Sequence, residues 1–166
     1  MEIRFDGKLT IEGTSTGWTN PVIEAGLVHC RAMLEFLGLR LDHRKPDQLK
    51  ERTNKHPDDV VIEDYGVDGR PLNRVTIADA VAKYAGPPDE AHQALARLIF
   101  TANKGHIHST SETFDDLEQN RLLEIASRGV PSLVISYFYI PLGMPEPSYR
   151  IKSRKPGDEC ARARIT

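Results

Sequence analysis

Between Val22 and Leu37 the apolar positions Val22, Ile23, Gly26, Leu27, Cys30, Met33, Leu34 and Leu37 recur at helical spacing, the stripe left by a 3.6-residue period. Asn20 before Pro21 supplies a start signal, a capping side chain ahead of a proline whose missing N–H is no loss at the first helical position. A first helix is therefore predicted from Pro21 to Leu39. Upstream, Ile3, Phe5, Leu9 and Ile11 alternate around Asp6-Gly7, a turn pair that tolerates positive φ, so residues 2–12 read as a short β-hairpin. Gly13 to Gly17 reads as a loop. The stretch Arg40 to His56 is polar, with Pro46 in it and Pro57 after it, and reads as a surface loop holding at most a short helix over Pro46 to Thr53.

Further along, Asp59 to Ile62 suits a strand or a single helical turn, and Asp68-Gly69 with Pro71 marks a turn. Thr76 with Asp79 three residues on has the spacing of a capping box and starts a helix over Ile77 to Ala85, which Gly86-Pro87-Pro88 stops. Asp89 is the cap expected for the next helix, whose Ala91, Leu95, Leu98, Ile99 and Ala102 share one stripe and carry it to about Asn103. Beyond Gly105 and Ser109-Thr110-Ser111, Thr113 and Asp116 repeat the capping spacing ahead of Leu117, Leu122, Ile125 and Ala126. Gly129-Val130-Pro131 either kinks this fourth helix or separates it from Ser132 to Ile140, a segment apolar enough for the core. No period of 20 to 50 residues repeats, which excludes a solenoid.

These elements add up to a mainly all-α protein, a bundle of four to five helices with a short N-terminal hairpin. A single domain over residues 1–143 is expected, followed by a tail over 144–166, because 166 residues suit one core. With 39% apolar and 28% charged residues the chain has a globular balance. Val130 to Leu142, broken by Pro131 and Pro141, is too short to span a bilayer, and Met1 to Asp6 lack the apolar core of a secretory signal. No membrane partner is expected, and the cytoplasm is the expected compartment. Cys30 and Cys160 form neither a disulfide framework nor a metal spacing. From Pro145 onward six basic residues face three acidic ones, a local +3 that leaves −5 on the rest of a chain of net charge −2. A solvated terminus accounts for that tail, and transient contact with phosphate-rich partners is the functional alternative.

Candidate chemistry lies in two places. On the first helix, His29 falls between Phe36 and Met33 on the wheel and is expected to point inward, while Arg31 and Glu35 are spaced for an ion pair. After the third helix, Asn103, Lys104, His106 and His108 place an amide, an ammonium and two imidazoles within six residues. Were the helix to continue, His106 would face the same core as His29 and make a shared polar cluster; otherwise Asn103 and Gly105 simply end the helix, with cations near the negative end of its dipole. His-x-His with an inward His29 offers three nitrogens to a metal, but residues two apart diverge on a helix, so no metal and no other cofactor is expected. The acidic cluster Asp58-Asp59 with Glu63-Asp64 reads as a solvated loop rather than a cation site, and Gly66-x-x-Gly69 is too sparse for a phosphate loop. Tyr137, Phe138 and Tyr139, with Trp18, suit core and interface, and consecutive aromatics on a helix face different ways, which frees at least one for a dimer contact.

The helix carrying His29-Cys30-Arg31-Ala32-Met33-Leu34-Glu35-Phe36-Leu37, followed by Ala102-Asn103-Lys104-Gly105-His106-Ile107-His108-Ser109-Thr110, resembles bacterial helical proteins of the HEPN-like kind over residues 20–140. That resemblance implies a four- or five-helix bundle, often a homodimer, from toxin–antitoxin, antiphage and RNA-processing systems, with a cognate protein partner or RNA as its target. Active members are metal-independent endoribonucleases that bring Arg and His together across two protomers. Here Arg97 is followed by Leu98 and has eight residues between it and His106, a longer spacing than the family motif, and Asn103 before His108 lacks the fixed charge an arginine gives. The chemistry implied assigns His106 or His108 as general acid or base and Arg31 or Arg97 to charge developing on phosphate, with His29, Glu35, Asn103 and Lys104 in the polar cluster. Three classes stay open: an RNA-acting domain or its inactive derivative, a non-enzymatic interaction or dimerisation module with structural histidines, and a histidine-based metal protein.

Overall fold

The computed structural model describes residues 2–12, 15–104 and 117–147. The chain is mainly helical. Strands β1 (Glu2–Phe5) and β2 (Lys8–Glu12) pair antiparallel, with Asp6 and Gly7 both at positive φ in the turn between them. Helix α1 then runs from Ser15 to Leu37 as one element. This corrects the start expected at Asn20-Pro21 and the loop expected up to Gly17: Pro21 lies inside the helix. An interior proline removes one i to i−4 hydrogen bond and bends a helix without having to end it.

A second correction concerns residues 40–56. Leu39–Asp42 (β3) and Lys45–Glu51 (β4) form an antiparallel hairpin instead of a loop or short helix. Leu39, Leu41 and Leu49 are buried while nearly every other strand position is polar and outward, so one face of this hairpin is core. The register jumps from Leu41 opposite Leu49 to Asp42 opposite Lys45, and Pro46 sits in the bulge this makes, where its missing N–H breaks no ladder bond. After β4 the chain makes a 3-10 turn, Ile62–Asp64, with Val61 and Ile62 buried, and then the small hairpin β5 (Gly66–Val67) and β6 (Arg70–Pro71) around Asp68-Gly69, both at positive φ.

Helix α2 (Ile77–Ala82) begins on the box that its spacing predicts: Thr76 Oγ1 accepts from the Asp79 N–H at 3.0 Å and Asp79 Oδ2 accepts from the Thr76 N–H at 3.3 Å. It is shorter than expected, ending three residues before Ala85. Helix α3 (Pro88–Lys104) starts with the Pro87 carbonyl accepting from Glu90 and Ala91, which places Asp89 inside the first turn and not at the cap. Helix α4 (Leu117–Val134) passes through Pro131 without separating and continues into a π-helical turn, Ile135–Tyr139.

Helix α3 is the centre of the molecule, packed by α1, α2, α4, β3 and β4. Its Ala94, Leu95, Ala96, Leu98 and Ile99 are all buried, which covers most of its circumference and exceeds the single stripe read from the sequence. Alanines at 91, 94, 96 and 102 let neighbouring backbones approach closely, and the larger Leu34, Leu37, Ile62, Val75, Val130 and Leu133 fill in from around it. Polar ties pin the periphery: Arg121 of α4 donates to Glu90 of α3 at 2.5 Å and to Glu118 at 3.0 Å, the Tyr84 hydroxyl also donates to Glu90, and His92 Nε2 accepts from the Leu49 N–H at 3.3 Å. Among the described residues no helix is long and apolar enough to cross a membrane.

Candidate functional site

Helix α1 has two characters along its length. From Leu27 onward, Leu27, Cys30, Leu34 and Leu37 pack against the core at a spacing of three and four residues. On another side, Val22, Gly26, His29 and Met33 repeat the same three-and-four spacing, with Ala25 and Ala32 beside them, and all six are exposed. This second stripe has the period of a helix–helix seam. It carries no Asp, Glu, Lys or Arg, and its small residues leave room for another backbone. From Asn20 to Gly26 the helix is exposed on every side, with Val22 at 53% and Ile23 at 54% of their full accessibility.

One turn beyond Met33 the stripe reaches Phe36, which joins an aromatic cluster. The Phe36 ring meets Phe138 at 5.2 Å and Tyr65 at 5.8 Å, Tyr65 meets Phe138 at 5.0 Å, and Phe138 meets Tyr139 at 5.8 Å, all edge to face. Tyr65, Ile140 and Met144 are exposed around it. Phe36 thus links the α1 stripe to this cluster. Sequence periodicity alone merged both stripes of α1 into one, because apolar spacing does not tell which of two sides the rest of the chain covers.

The residues singled out in the sequence fall as follows. His29 is exposed, not inward as the wheel suggests, because the core lies on the Leu27, Cys30, Leu34 and Leu37 side of α1. Arg31 donates from Nε to Glu35 Oε1 at 2.9 Å, one turn along the same helix. Arg97 lies on α3 with its guanidinium 5.2 Å from the Phe100 ring centre. Asn103 is exposed near the end of α3 and Lys104 closes that helix, while His106 and His108 lie outside the described residues. Helices α1 and α3 do pack together. Among the described residues no group of three His, Cys, Asp or Glu side chains is placed to hold a metal ion. Cys30 is half-buried, and burial pushes its thiol above the usual range.

A polar feature that the sequence does not announce lies where the β3–β4 hairpin meets the end of α1. Arg52, buried just after β4, donates from Nη2 to both oxygens of Glu63 at 2.8 and 2.6 Å, and Arg74 Nε is 3.1 Å from Glu63 Oε1. Arg74 Nη1 also donates to the Arg52 carbonyl. Arg40 of β3 donates to Thr53 Oγ1 at 3.3 Å. Gly38, just after α1, holds this together: it has φ +102°, its carbonyl accepts from Arg52 N–H at 2.7 Å, and the Arg74 stem lies 3.1 Å from where a Cβ would stand. The pairing joins residues 11 and 22 positions apart, so no local motif marks it.

No family model, curated protein or solved structure matches this chain.

Proposed function

We propose that the protein is an interaction module that pairs with a second copy of itself through α1, the non-enzymatic alternative among the three classes open from the sequence. The observation that carries this reading is the exposed, charge-free stripe Val22, Ala25, Gly26, His29, Ala32 and Met33, at seam spacing, on a helix whose other side is already packed. A face without charge meets no like-charge repulsion when it faces its own copy, and Glu24, Arg31 and Glu35 lie off it. Ala25, Gly26 and Ala32 allow two such helices to cross at the short end of the usual interaxial range, about 8 Å. The aromatic surface at Phe36, Tyr65 and Tyr139 extends the contact beyond the stripe.

The test is sedimentation equilibrium over a wide range of protein concentration. A species of twice 18.6 kDa is expected for the native chain. Ala25→Glu and Met33→Glu place a carboxylate on exposed positions, so the fold is kept and the pair is lost. A chain that is monomeric at every concentration, or a dimer indifferent to both substitutions, overturns the reading.

The RNA-acting reading is a second proposal, supported by the density of Asn103, Lys104, His106 and His108 within six residues of sequence. It is tested separately by incubating structured RNA with the protein in chelator beside His106→Ala and His108→Ala. Cleavage by the native chain that falls in either variant supports it, and intact RNA throughout removes it.

A further inference from the structure

We infer that the groove between the end of β4 and the segment ahead of α2 is a binding site for a phosphate group carried on a small molecule. Its volume is about 490 Å³, and Glu51, Arg52, Thr53, Asn73 and Arg74 line it. This is within the ordinary range of roughly 300–1,000 Å³ for ligand pockets. Two guanidiniums, Arg52 and Arg74, line it and a third, Arg40, flanks it by donating to Thr53 Oγ1, against the carboxylates of Glu51, in the lining, and Glu63, which Arg52 and Arg74 share. That leaves an excess of one positive charge. Glu63 is held by Arg52 and Arg74 together, and Glu51 Oε1 accepts from the Ile77 N–H at 2.9 Å.

Donor capacity is left over in the side chains that line and flank it. Arg52 has a side chain only 9% exposed, and its Nε has no hydrogen-bond partner among the described residues, as is also true of Arg40 Nε. A buried guanidinium nitrogen without an acceptor is costly, and it is retained in folded proteins mostly where something else satisfies it. Arg74 has five N–H donors, of which Nε goes to Glu63 and one Nη1 hydrogen to the Arg52 carbonyl, and it is 44% exposed at the groove. Thr53 Oγ1 accepts from Arg40, so its own hydrogen is available to donate, and the Asn73 amide is exposed beside Arg74.

The shape of the donor set selects the anion. Donors come from two chain segments, Thr53 and Asn73-Arg74, enough for a tetrahedral group presenting three oxygens. A planar carboxylate already has its place here in Glu63. Recognition by guanidinium forks also makes the site sensitive to exchange of arginine for lysine, whose ammonium is a point charge.

The experiment is calorimetric titration and thermal unfolding of the full chain with inorganic phosphate and with a nucleoside monophosphate, against chloride and citrate at matched ionic strength. Both phosphates are expected to raise Tm, by roughly 3–6 °C for each tenfold rise in concentration above Kd, where chloride and citrate do not. Arg74→Lys lowers phosphate affinity about tenfold, and Asn73→Ala, at an exposed position outside the ion-pair network, lowers it severalfold while circular dichroism is unchanged. A stronger response to the nucleotide than to inorganic phosphate places the remainder of the ligand in the groove; an equal response assigns the site to free phosphate. The inference is overturned if phosphate acts no differently from chloride or citrate, or if its effect survives in Asn73→Ala and Arg74→Lys alike. Oligomeric state plays no part in this readout, so its failure leaves the pairing through α1 untouched.

Discussion

Replacing Glu63 by glutamine removes one charge from a nearly buried ion pair and keeps the shape. Glu63 accepts from Arg52 at 2.8 and 2.6 Å and from Arg74 at 3.1 Å, with Arg52 9% and Glu63 31% exposed. At an effective dielectric of about 20, two charges 4 Å apart attract by roughly 4 kcal/mol, and removing one partner of a buried pair costs about 3–5 kcal/mol. Glu63 keeps nearly a third of its surface in water and Arg74 nearly half, and screening there reduces the figure to about 2–3 kcal/mol. For a domain of this size that is a fall in Tm of roughly 5–10 °C. The assay is urea unfolding of the native chain, Glu63→Gln, Arg52→Met and the double variant, a cycle that isolates the pair. A coupling of at least about 1 kcal/mol is expected, because the double variant leaves no buried charge without its partner. Single variants within about 0.5 kcal/mol of native, or strictly additive losses, would refute the assignment of Glu63 as the group that holds Arg52. Phosphate gives a further check of sign: with a carboxylate gone the groove is more positive, so Glu63→Gln binds phosphate more tightly although it is less stable.

Two further outcomes follow from local geometry. Gly38→Ala forces a side chain into φ +102° and against the Arg74 stem at 3.1 Å, and a loss of about 2–3 kcal/mol in the same urea assay is expected, with native stability in the variant counting against the strain. Acid sensitivity comes from three carboxyls held below their ordinary values, Glu90 by the Tyr84 hydroxyl and then Arg121, Asp64 by the Lys55 ammonium and then the Val61 N–H, and Asp42 by the Arg44 N–H. Since a depressed carboxyl stabilises above its unfolded value and loses that contribution as pH falls through its folded one, Tm is level from neutrality to about pH 5 and declines below it. Glu90→Gln flattens part of that decline, and an unchanged profile in the variant would remove Glu90 as a contributor.

Much of the helical framework is legible in the residues themselves. Thr76 and Asp79 announce α2, the α3 stripe from Ala91 to Ala102 is buried, and Asp6-Gly7 and Asp68-Gly69 take the positive φ that such pairs tolerate. These signals are local and each depends on a few adjacent residues. The β3–β4 hairpin is not legible, because Leu39, Leu41 and Leu49 are its only buried positions and a three-residue jump in register hides their alternation. Proline misled at Pro21, which lies inside a continuous helix, and at Pro131 the helix likewise continues, leaving the kink of the two alternatives; in both, one lost hydrogen bond is outweighed by the rest of the element. The arginine groove is illegible for a different reason, since it is assembled from residues 40, 52–53, 63 and 73–74, whose meeting is a property of the tertiary fold. His29 shows the limit of a wheel, which ranks sides by composition and cannot say which side is covered.

The N-terminal half of α1 raises a question of stability that bears on the pairing. Residues 20–26 are exposed on all sides, and a helical stretch shorter than about 12–15 residues is marginal in water without tertiary support. Pro21 and Gly26 weaken it further, by the lost hydrogen bond and by the roughly 1 kcal/mol that glycine costs relative to alanine within a helix. Such a segment holds its shape as an extension of the packed half, Leu27 to Leu37, or against another surface. These alternatives differ in their response to protein concentration. Hydrogen exchange followed by mass spectrometry is expected to show amides 22–26 fast at low concentration and protected as the pair forms, while amides 34–37, in the packed half, are protected throughout. Met33→Glu holds 22–26 in the fast state at every concentration. Protection of 22–26 that is already complete in dilute solution and unchanged by Met33→Glu would mean that the chain stabilises this half unaided, and the bare stripe would lose its need for a second copy.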